Sequence, residues 1–193
     1  MKNTLRPLFT TFVALTVVTG LIYPLLVTGV ARAAFSQPAS GSLIMRNGKA
    51  IGSELIGQQF DAPQYLWGRL SATTPNPYNA QDSAGSNLGP TNPALADEVR
   101  GRLSALHAAD PSNTAEVPVD LVTSSGSGLD PQISPAAAAY QIPRIARARK
   151  LSIDQVQQTI QRYTNGRQLG VLGEARVNVL QVNIALDDLK PAR

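Results

Sequence analysis

The chain has 193 residues, 43% of them hydrophobic, with no cysteine and a single histidine, His107. These counts exclude disulfides, thiolate nucleophiles, and metal centres built from cysteine or from several histidines. The net charge of +4 does not predict nucleic-acid binding, because Lys2, Arg6 and Arg32 flank one apolar segment and leave 14 of the 17 basic residues against 13 acidic ones.

The first predicted element is a transmembrane helix over residues 7–31. This segment carries no charged residue and is longer than the ~20 residues needed to cross a bilayer core. More basic residues precede it than follow it, which predicts a cytoplasmic N-terminus over residues 1–6 and an extracytoplasmic domain over residues 32–193. A cleaved signal peptide is the alternative, because Ala31-Arg32-Ala33 has the form of a cleavage site. Either interpretation exports the rest of the chain.

The span offers candidate contacts for another helix. Gly20 and Gly29 are small enough to let a neighbouring helix approach closely, which is how helices associate in lipid. Tyr23 and Pro24 lie between them, and a membrane helix can absorb a proline by local adjustment. We predict partner contact at Gly20, Tyr23, Pro24 and Gly29, with exposure to lipid as the alternative.

The segment after the span is predicted to consist of short strands, turns and one long loop. Between residues 35 and 68, short apolar pieces alternate with glycine and proline. Residues 69–90 are polar and have no apolar period, and a loop of this length in a compact domain usually has a function. We therefore predict partner contacts at Asn87 and Thr91.

Three helices are predicted from their capping residues. The first begins after Asn92 with Pro93, the second begins after Ser134, and the third begins at Ser152. The first has an apolar face predicted to lie in the core, with a groove for a partner helix as the alternative, formed by Leu95, Val99, Leu103 and Leu106. Pro143 is expected to kink or divide the second helix, and Asn165-Gly166 is expected to end the third. A run of basic residues is predicted to be a solvated face, with anion binding as the alternative: Arg144, Arg147, Arg149 and Lys150.

Two longer strands complete the predicted domain. VPVDLVTS, residues 117–124, is rich in valine and threonine. In the final segment ARVNVLQVNIAL, alternation predicts a strand with one apolar face formed by Leu180, Val182, Ile184 and Leu186. The fold class is α+β: one N-terminal transmembrane helix followed by a single extracytoplasmic domain with a small sheet covered by helices.

The segment SSGSGLDPQISP, residues 124–135, lies between a predicted strand and a predicted helix, as phosphate-binding loops do. It lacks the lysine and hydroxyl residue of such a loop, and Asp130 and Pro131 follow instead. A structural turn is the simplest interpretation, and a ligand-binding loop is the alternative. A membrane-anchored enzyme using Asp120 or Asp130, or a solute-binding module, is a second class of function, although no partner for either carboxylate stands at a recognisable spacing.

Several blocks of the chain resemble the C subunit of the Kdp potassium-transporting P-type ATPase of bacteria. They occur in the family's order and cover nearly the whole chain, namely LRP and TGLIYPLLVTGVA in the span, GSELIGQQF, PQYLWGRLSA, GSNLGPTNPAL, VPVDLVTSSGSGLDPQISPAAAAYQ and GEARVNVLQVN. The number and order of these blocks make the resemblance highly specific.

The resemblance implies an accessory, non-catalytic subunit of a four-part inner-membrane complex for ATP-driven potassium import. Its implied partners are a channel-like potassium-binding subunit, a P-type ATP-hydrolysing subunit and a small single-span subunit. It also implies roles in assembly and in raising the ATP affinity of the hydrolysing subunit. By this resemblance the chain alone binds no cofactor or metal, while the complex handles potassium, ATP and magnesium.

The family further implies that Ser127, Gly128 and Gln141 are nucleotide contacts. The charge asymmetry around the span instead predicts that these residues lie outside the membrane, whereas ATP is cytoplasmic. We therefore expect any effect of this chain on ATP use to be indirect, carried through the membrane helix or the assembled complex.

Overall fold

The computed structural model describes the backbone of residues 2–189 and the side chains of residues 4–189. Met1 and residues 190–193, which belong to the predicted cytoplasmic and extracytoplasmic segments, lie outside the described residues. The chain divides into two compact units, Met1–Ile51 and Gly52–Arg193. Each unit has its own local structure and is described by itself.

The first unit consists mainly of a long apolar helix. It comprises α1 (Lys2–Val17), one π-helical turn (Val18–Ile22) and α2 (Tyr23–Ala34). The stretch Thr4–Ala34 is long and apolar enough to cross a membrane, and an 18-residue window within it has a mean hydropathy of 2.0. Its large apolar side chains are exposed, as in a helix that is surrounded by lipid or by other helices. The predicted apolar helix is therefore present and is longer than the predicted segment.

The π-helical turn lies directly before Pro24, at the place where a proline would otherwise disrupt the helix. The proline ring has no N–H to donate and would clash with the carbonyl four residues earlier. Here the N–H of Tyr23 donates to the carbonyl of Val18, five residues back, so the turn holds one extra residue and makes room for the ring. The expectation of a local adjustment at Pro24 is confirmed.

A short helix and a hairpin follow the long helix. The helix is α3 (Ser36–Ala39), and the hairpin pairs β1 (Leu43–Arg46) with β2 (Lys49–Ser53). Asn47 and Gly48 form the two-residue turn, with φ of +51° and +76°. A tight hairpin turn of this kind requires positive φ at both positions, which asparagine and glycine adopt most readily.

Up to residue 189, where its described part ends, the second unit packs four helices and a three-stranded sheet around one core. The helices are α4 (Pro93–Ala109), α5 (Pro135–Arg149), α6 (Ile153–Arg162) and α7 (Val179–Leu189). The strands are β3 (Gln132–Ile133), β4 (Thr164–Asn165) and β5 (Arg176–Asn178), with β5 antiparallel between the other two. Buried side chains come from every layer, among them Leu66, Leu106, Ile133, Ile145, Val156, Val177, Val182 and Leu186. The α+β class with small sheets is confirmed.

The helix starts are confirmed. Asn92, Ser134 and Ser152 each accept a hydrogen bond from a backbone N–H in the first turn of α4, α5 and α6. Such caps satisfy donors that have no partner within the helix. Ser152 also forms the full capping box with Gln155. Leu106 of the predicted α4 face is buried, and Val99 and Leu103 pack against the core.

The predicted strand at the C-terminus is wrong, because only Arg176–Asn178 is a strand and Val179–Leu189 is helix α7. The side chain of Asn178 accepts the N–H of Gln181 at 3.1 Å, which caps the helix where the strand ends. The buried residues of α7 follow helical spacing, and the polar Asn183 is one of them. The apolar residues from Leu180 to Leu186 alternate along the sequence as in a strand, but the segment is helical.

The predicted strand over residues 117–124 is also wrong. Val119–Leu121 is a single 3₁₀ turn, and only Ser124 forms a bridge, parallel to Leu70. The carboxylate of Asp120 accepts the N–H of Ser134 at 2.6 Å, a contact that turns the chain towards the start of α5. The segment instead satisfies its own backbone in the 3₁₀ turn, where the N–H of Leu121 donates to Pro118 and that of Val122 donates to Val119.

Three smaller predictions about the helices need correction. Helix α5 is continuous through the exposed Pro143, so the helix is not divided there, and a kink at Pro143 stays a prediction. Helix α6 ends at Arg162, before the predicted Asn165-Gly166. In the basic run, Arg147 and Lys150 are exposed, but Arg144 and Arg149 are each only 4% exposed. The prediction of a fully solvated basic face is therefore wrong for these two arginines.

Candidate functional site

The Ser-Gly loop, residues 124–130, is joined to the preceding polar loop by hydrogen bonds. The hydroxyl of Ser71 donates to the carbonyl of Gly128 at 2.7 Å and accepts the N–H of Tyr78 at 2.8 Å. The Tyr78 hydroxyl donates to the carbonyl of Arg69 at 2.7 Å. Burial raises the pKa of Tyr78 to about 12, so the hydroxyl stays protonated as a donor at neutral pH. The first half of the long polar loop is thus part of the domain's own framework.

Gly128 has a packing reason to be glycine. Its φ is +67°, and a Cβ there would lie 2.4 Å from the carbonyl oxygen of Ala84 and 3.0 Å from Thr73. The Ser127 hydroxyl accepts the N–H of Leu129 at 3.2 Å, and the Ser127 carbonyl accepts from Ser83 at 3.3 Å. These contacts fit a turn that holds two loops together.

Replacement of Gly128 by alanine is expected to destabilise the domain by about 2 kcal/mol, because the substitution adds both an unfavourable φ and a clash with a backbone oxygen. Urea unfolding of the full chain in detergent measures this change. Gly126→Ala is the matched control, because a Cβ at Gly126 meets no atom within 4 Å. Equal stability of the two variants would contradict the packing role of Gly128.

Gln141 lies in the interior and is 1% exposed. Its Oε1 accepts the N–H of Trp67 at 2.8 Å, and its Nε2 donates to the carbonyls of Trp67 at 3.1 Å and Ala137 at 3.2 Å. Arg144 Nη2 also donates to Oε1, at 2.5 Å. The side-chain amide of Gln141 is therefore fully engaged within the domain, and a nucleotide would reach it only if this packing opened.

These bonds belong to a larger arrangement around residues 63–68, PQYLWG, which we name the clamped segment. It has no regular secondary structure, yet Leu66 and Trp67 are almost fully buried. Asn183 of α7 bonds both the N–H and the carbonyl of Leu66, at 2.7 and 2.9 Å. Gln141 of α5 does the same for Trp67. Two buried amides thus replace the partner strand that an extended backbone normally requires.

Three arginines donate to three further carbonyls of the clamped segment. Arg144 donates to Pro63 at 2.6 Å, Arg149 to Gln64 at 2.7 Å, and Arg102 of α4 to Gly68 at 2.9 Å. Arg102 and Arg144 also lie over the Trp67 ring, 4.8 and 4.6 Å from its centroid. Burial lowers the pKa of Arg144 to about 10, which leaves the guanidinium charged at neutral pH and suited to a cation–π contact.

A cleft of about 520 Å³ lies beside the start of α5, and both Asp120 and Asp130 line it. Asp120 accepts two hydrogen bonds from Ser134, one from its N–H at 2.6 Å and one from its hydroxyl at 3.3 Å. Asp130 accepts the N–H of Gln132 at 2.9 Å and lies 3.6 Å from Arg69. Each carboxylate has a structural partner, so the cleft by itself does not indicate acid–base chemistry.

The candidate partner contacts are accessible. Gly20 lies within the π-helical turn, and Tyr23 and Pro24 follow it directly. Gly29 lies further along α2, and a Cβ at either glycine meets no atom within 4 Å. Asn87, with φ of +54°, and Thr91 are exposed in the second half of the polar loop. The structure leaves all six free to contact a partner, and their role stays a prediction.

The residues that the sequence interpretation missed are those of the clamp: Asn183, Arg102, Arg144 and Trp67. The one signal available in the sequence was the single tryptophan of the chain, Trp67, because such a large apolar residue is usually well buried. Nothing in the sequence identified which side chains hold it.

The described residues form a protein with one helix long and apolar enough to cross a membrane, followed by one small α+β domain. The family model of the K+-transporting ATPase, c chain, matches residues 5–188. The chain is 66% identical to the potassium-transporting ATPase KdpC subunit of Paraburkholderia phytofirmans over 190 residues, which cover 98% of this chain and 99% of that protein. It is 60% identical to the KdpC subunit of Herpetosiphon aurantiacus, and the match covers 98% of this chain and 98% of that protein. It is also 60% identical to the KdpC subunit of Polaromonas naphthalenivorans, and the match covers 99% of this chain and 97% of that protein.

The chain belongs to the KdpC family of K+-transporting ATPase subunits. It is therefore an accessory component of potassium transport that works with partner subunits. The resemblance seen in the sequence blocks is confirmed.

Proposed function

We propose that this chain is a non-catalytic subunit that anchors and stabilises the potassium-importing complex from outside the membrane. In this proposal the helix spans the inner membrane once, with its N-terminus in the cytoplasm and the domain in the periplasm. The excess of basic residues before the helix supports this orientation. The hydroxyls of Thr10 and Thr19 donate to carbonyls four residues earlier, at 2.8 and 2.7 Å, which suits a helix in lipid.

The partners proposed are a channel-like potassium-binding subunit, a P-type ATP-hydrolysing subunit and a small single-span subunit. The exposed surface of the long helix, including Gly20 and Gly29, supports helix contact with them. In this proposal potassium, ATP and magnesium are bound elsewhere in the complex, and this chain carries no cofactor of its own.

The effect on ATP affinity is proposed to be indirect. The single observation that carries this proposal is the complete engagement of Gln141 with Trp67, Ala137 and Arg144. A side chain that already holds the core together is a poor nucleotide ligand, because binding would leave buried polar groups unpaired. In this proposal, a stable domain of this chain favours assembly of the complex, and assembly in turn changes the affinity of the hydrolysing subunit for ATP.

Thiol labelling tests the orientation. The chain has no cysteine, so Ser127→Cys gives one site for a membrane-impermeant maleimide, and Asn3→Cys is the control on the other side. We expect labelling of Ser127→Cys in cells with a permeabilised outer membrane and labelling of Asn3→Cys only in inverted vesicles. The reverse pattern would place the domain in the cytoplasm and restore direct ATP contact.

The Michaelis constant for ATP tests the indirect mechanism. In the assembled complex, Ser127→Ala is expected to leave this constant within about twofold of wild type, since a twofold change corresponds to under 1 kcal/mol. A tenfold rise, with unchanged potassium affinity and unchanged subunit composition, would show that the Ser-Gly loop contacts nucleotide.

A further inference from the structure

A short hairpin turn before β5 carries three apolar side chains into solvent. We name residues 168–172, QLGVL, the apolar tip. Leu169 is 90% exposed, Val171 73% and Leu172 56%. Single exposed apolar residues are ordinary, but three on one turn form a patch of the kind that marks a contact site.

The backbone of the apolar tip is held in one conformation. Gln168 and Leu172 exchange two backbone hydrogen bonds, of 2.8 and 2.9 Å. Leu169 and Gly170 lie between them with φ of +53° and +78°. Positive φ is unfavourable for a bulky side chain such as leucine. The domain thus holds Leu169 in a strained conformation while nine-tenths of its surface remains in water.

The two charged residues that flank the apolar tip in sequence, Arg167 and Glu174, neutralise each other. Arg167 donates to both carboxylate oxygens of Glu174 at 2.8 Å, which closes the base of the turn. A loop that inserts into an anionic lipid surface usually combines apolar residues with cations free to meet head groups. The pairing at the base of this turn, together with its fixed backbone, fits an apolar pocket on a protein better than a fluid lipid surface.

The size of the patch also restricts its partner. Three side chains expose a few hundred Å², whereas a stable interface between free proteins buries about 800 Å² per partner. The tip is therefore too small to hold two copies of this chain together. It is large enough to act as one anchor when another contact already keeps both proteins in the same membrane, because tethering raises the effective concentration.

We propose that the apolar tip inserts into an apolar pocket on another subunit of the K+-transporting ATPase. Leu169 is the central anchor, and Val171 and Leu172 exclude water around it. The two backbone hydrogen bonds between Gln168 and Leu172 hold the turn in one conformation before contact, which reduces the ordering cost of binding. This inference rests on the proposed membrane-anchored assembly and adds to it a specific contact on the domain.

Labelling rates in the cysteine-free chain test this proposal. Leu169→Cys reports on the tip, and Ile153→Cys is the matched control, because Ile153 is an apolar residue 54% exposed at the start of α6. Each variant is purified as the complex and as the isolated full chain in detergent. Reaction with a fluorescent maleimide is followed on the gel band of this subunit.

The expected result is at least tenfold slower labelling at position 169 in the complex than in the isolated chain, with little change at position 153. Equal rates at position 169 in the two states would overturn the proposal. Slow labelling of the isolated chain in lipid vesicles would show that the tip contacts the membrane. Protection that rises with the concentration of the isolated chain in detergent would show that the tip contacts a second copy. Either result would also overturn the proposal.

A second measurement separates this proposal from the proposed function. Leu169→Asn keeps a residue that tolerates positive φ and removes the apolar side chain. We expect it to lower the fraction of the subunit that co-purifies with the ATPase in harsh detergent, while the isolated chain keeps its thermal stability. Failure of the wild-type chain to co-purify would refute the assembly role itself, whereas wild-type behaviour of Leu169→Asn would refute only the tip contact.

Discussion

Replacement of Gln141 by leucine is expected to lower the free energy of unfolding of the domain by roughly 3 kcal/mol, because it leaves buried polar groups without partners. The groups concerned are the N–H and carbonyl of Trp67 and the Nη2 of Arg144, whose Nη1 keeps its bond to Pro63. Leucine has a similar volume, so the change in packing is small beside the loss of hydrogen bonds. Urea unfolding of the full chain in detergent, followed by the fluorescence of its single tryptophan, measures the loss.

Gln158→Leu is the matched control for Gln141→Leu, because Gln158 is an exposed residue of a neighbouring helix. It is expected to change stability by less than about 0.5 kcal/mol. Gln141→Glu keeps an acceptor for Trp67 and Arg144 but loses the donor, so its stability should fall between the two. Unchanged stability of Gln141→Leu, combined with a large rise in the Michaelis constant for ATP, would make Gln141 a nucleotide ligand after all.

The parts of the fold that the sequence predicted well depend on local chemistry. Helices α4, α5 and α6 begin after Asn92, Ser134 and Ser152, where a capping side chain lies close in sequence to the donor it satisfies. The long apolar helix depends only on composition over its length. Caps involve neighbours within four residues and the apolar helix is one continuous stretch of sequence, so both signals are readable without a structure.

The parts that were mispredicted depend on contacts distant in sequence. In α7, Asn183 faces the core because Leu66, 117 residues away, provides a backbone partner. When that contact is unknown, an asparagine is assigned to the solvent-facing side, and the apolar residues around it then show the alternating pattern of a strand. The buried Arg144 and Arg149 are similar cases, since the carbonyls of Pro63 and Gln64 that receive them lie over 80 residues earlier.

For the candidate site too, the sequence predicted some features well and others poorly. Sequence blocks were sufficient to identify the family, because family membership depends on residue identities in order. They could not show that Gln141 is enclosed and that Gly128 is packed against Ala84. The same glycines and glutamine are compatible with a nucleotide loop or with a structural turn until their neighbours are known.

Substitution of Trp67 by alanine is expected to destabilise the domain more than any other single change considered, by about 4 kcal/mol, as for other large buried aromatic residues. Trp67 is 4% exposed, and its indole N–H donates to Ala62 at 2.9 Å. The alanine variant creates a cavity and also removes the ring that lies against Arg102 and Arg144. Two buried cations would then face an apolar void, which adds an electrostatic cost to the loss of packing.

Trp67→Phe separates these contributions, because phenylalanine keeps an aromatic face for the arginines but loses the indole N–H and part of the volume. We expect a loss of about 2 kcal/mol for Trp67→Phe, about half the loss for Trp67→Ala. Circular dichroism at the helical band follows unfolding in both variants, since neither retains tryptophan fluorescence. If Trp67→Leu, which is apolar but not aromatic, proved as stable as Trp67→Phe, the cation–π contacts would contribute little, and apolar packing with the backbone hydrogen bonds would hold the clamped segment.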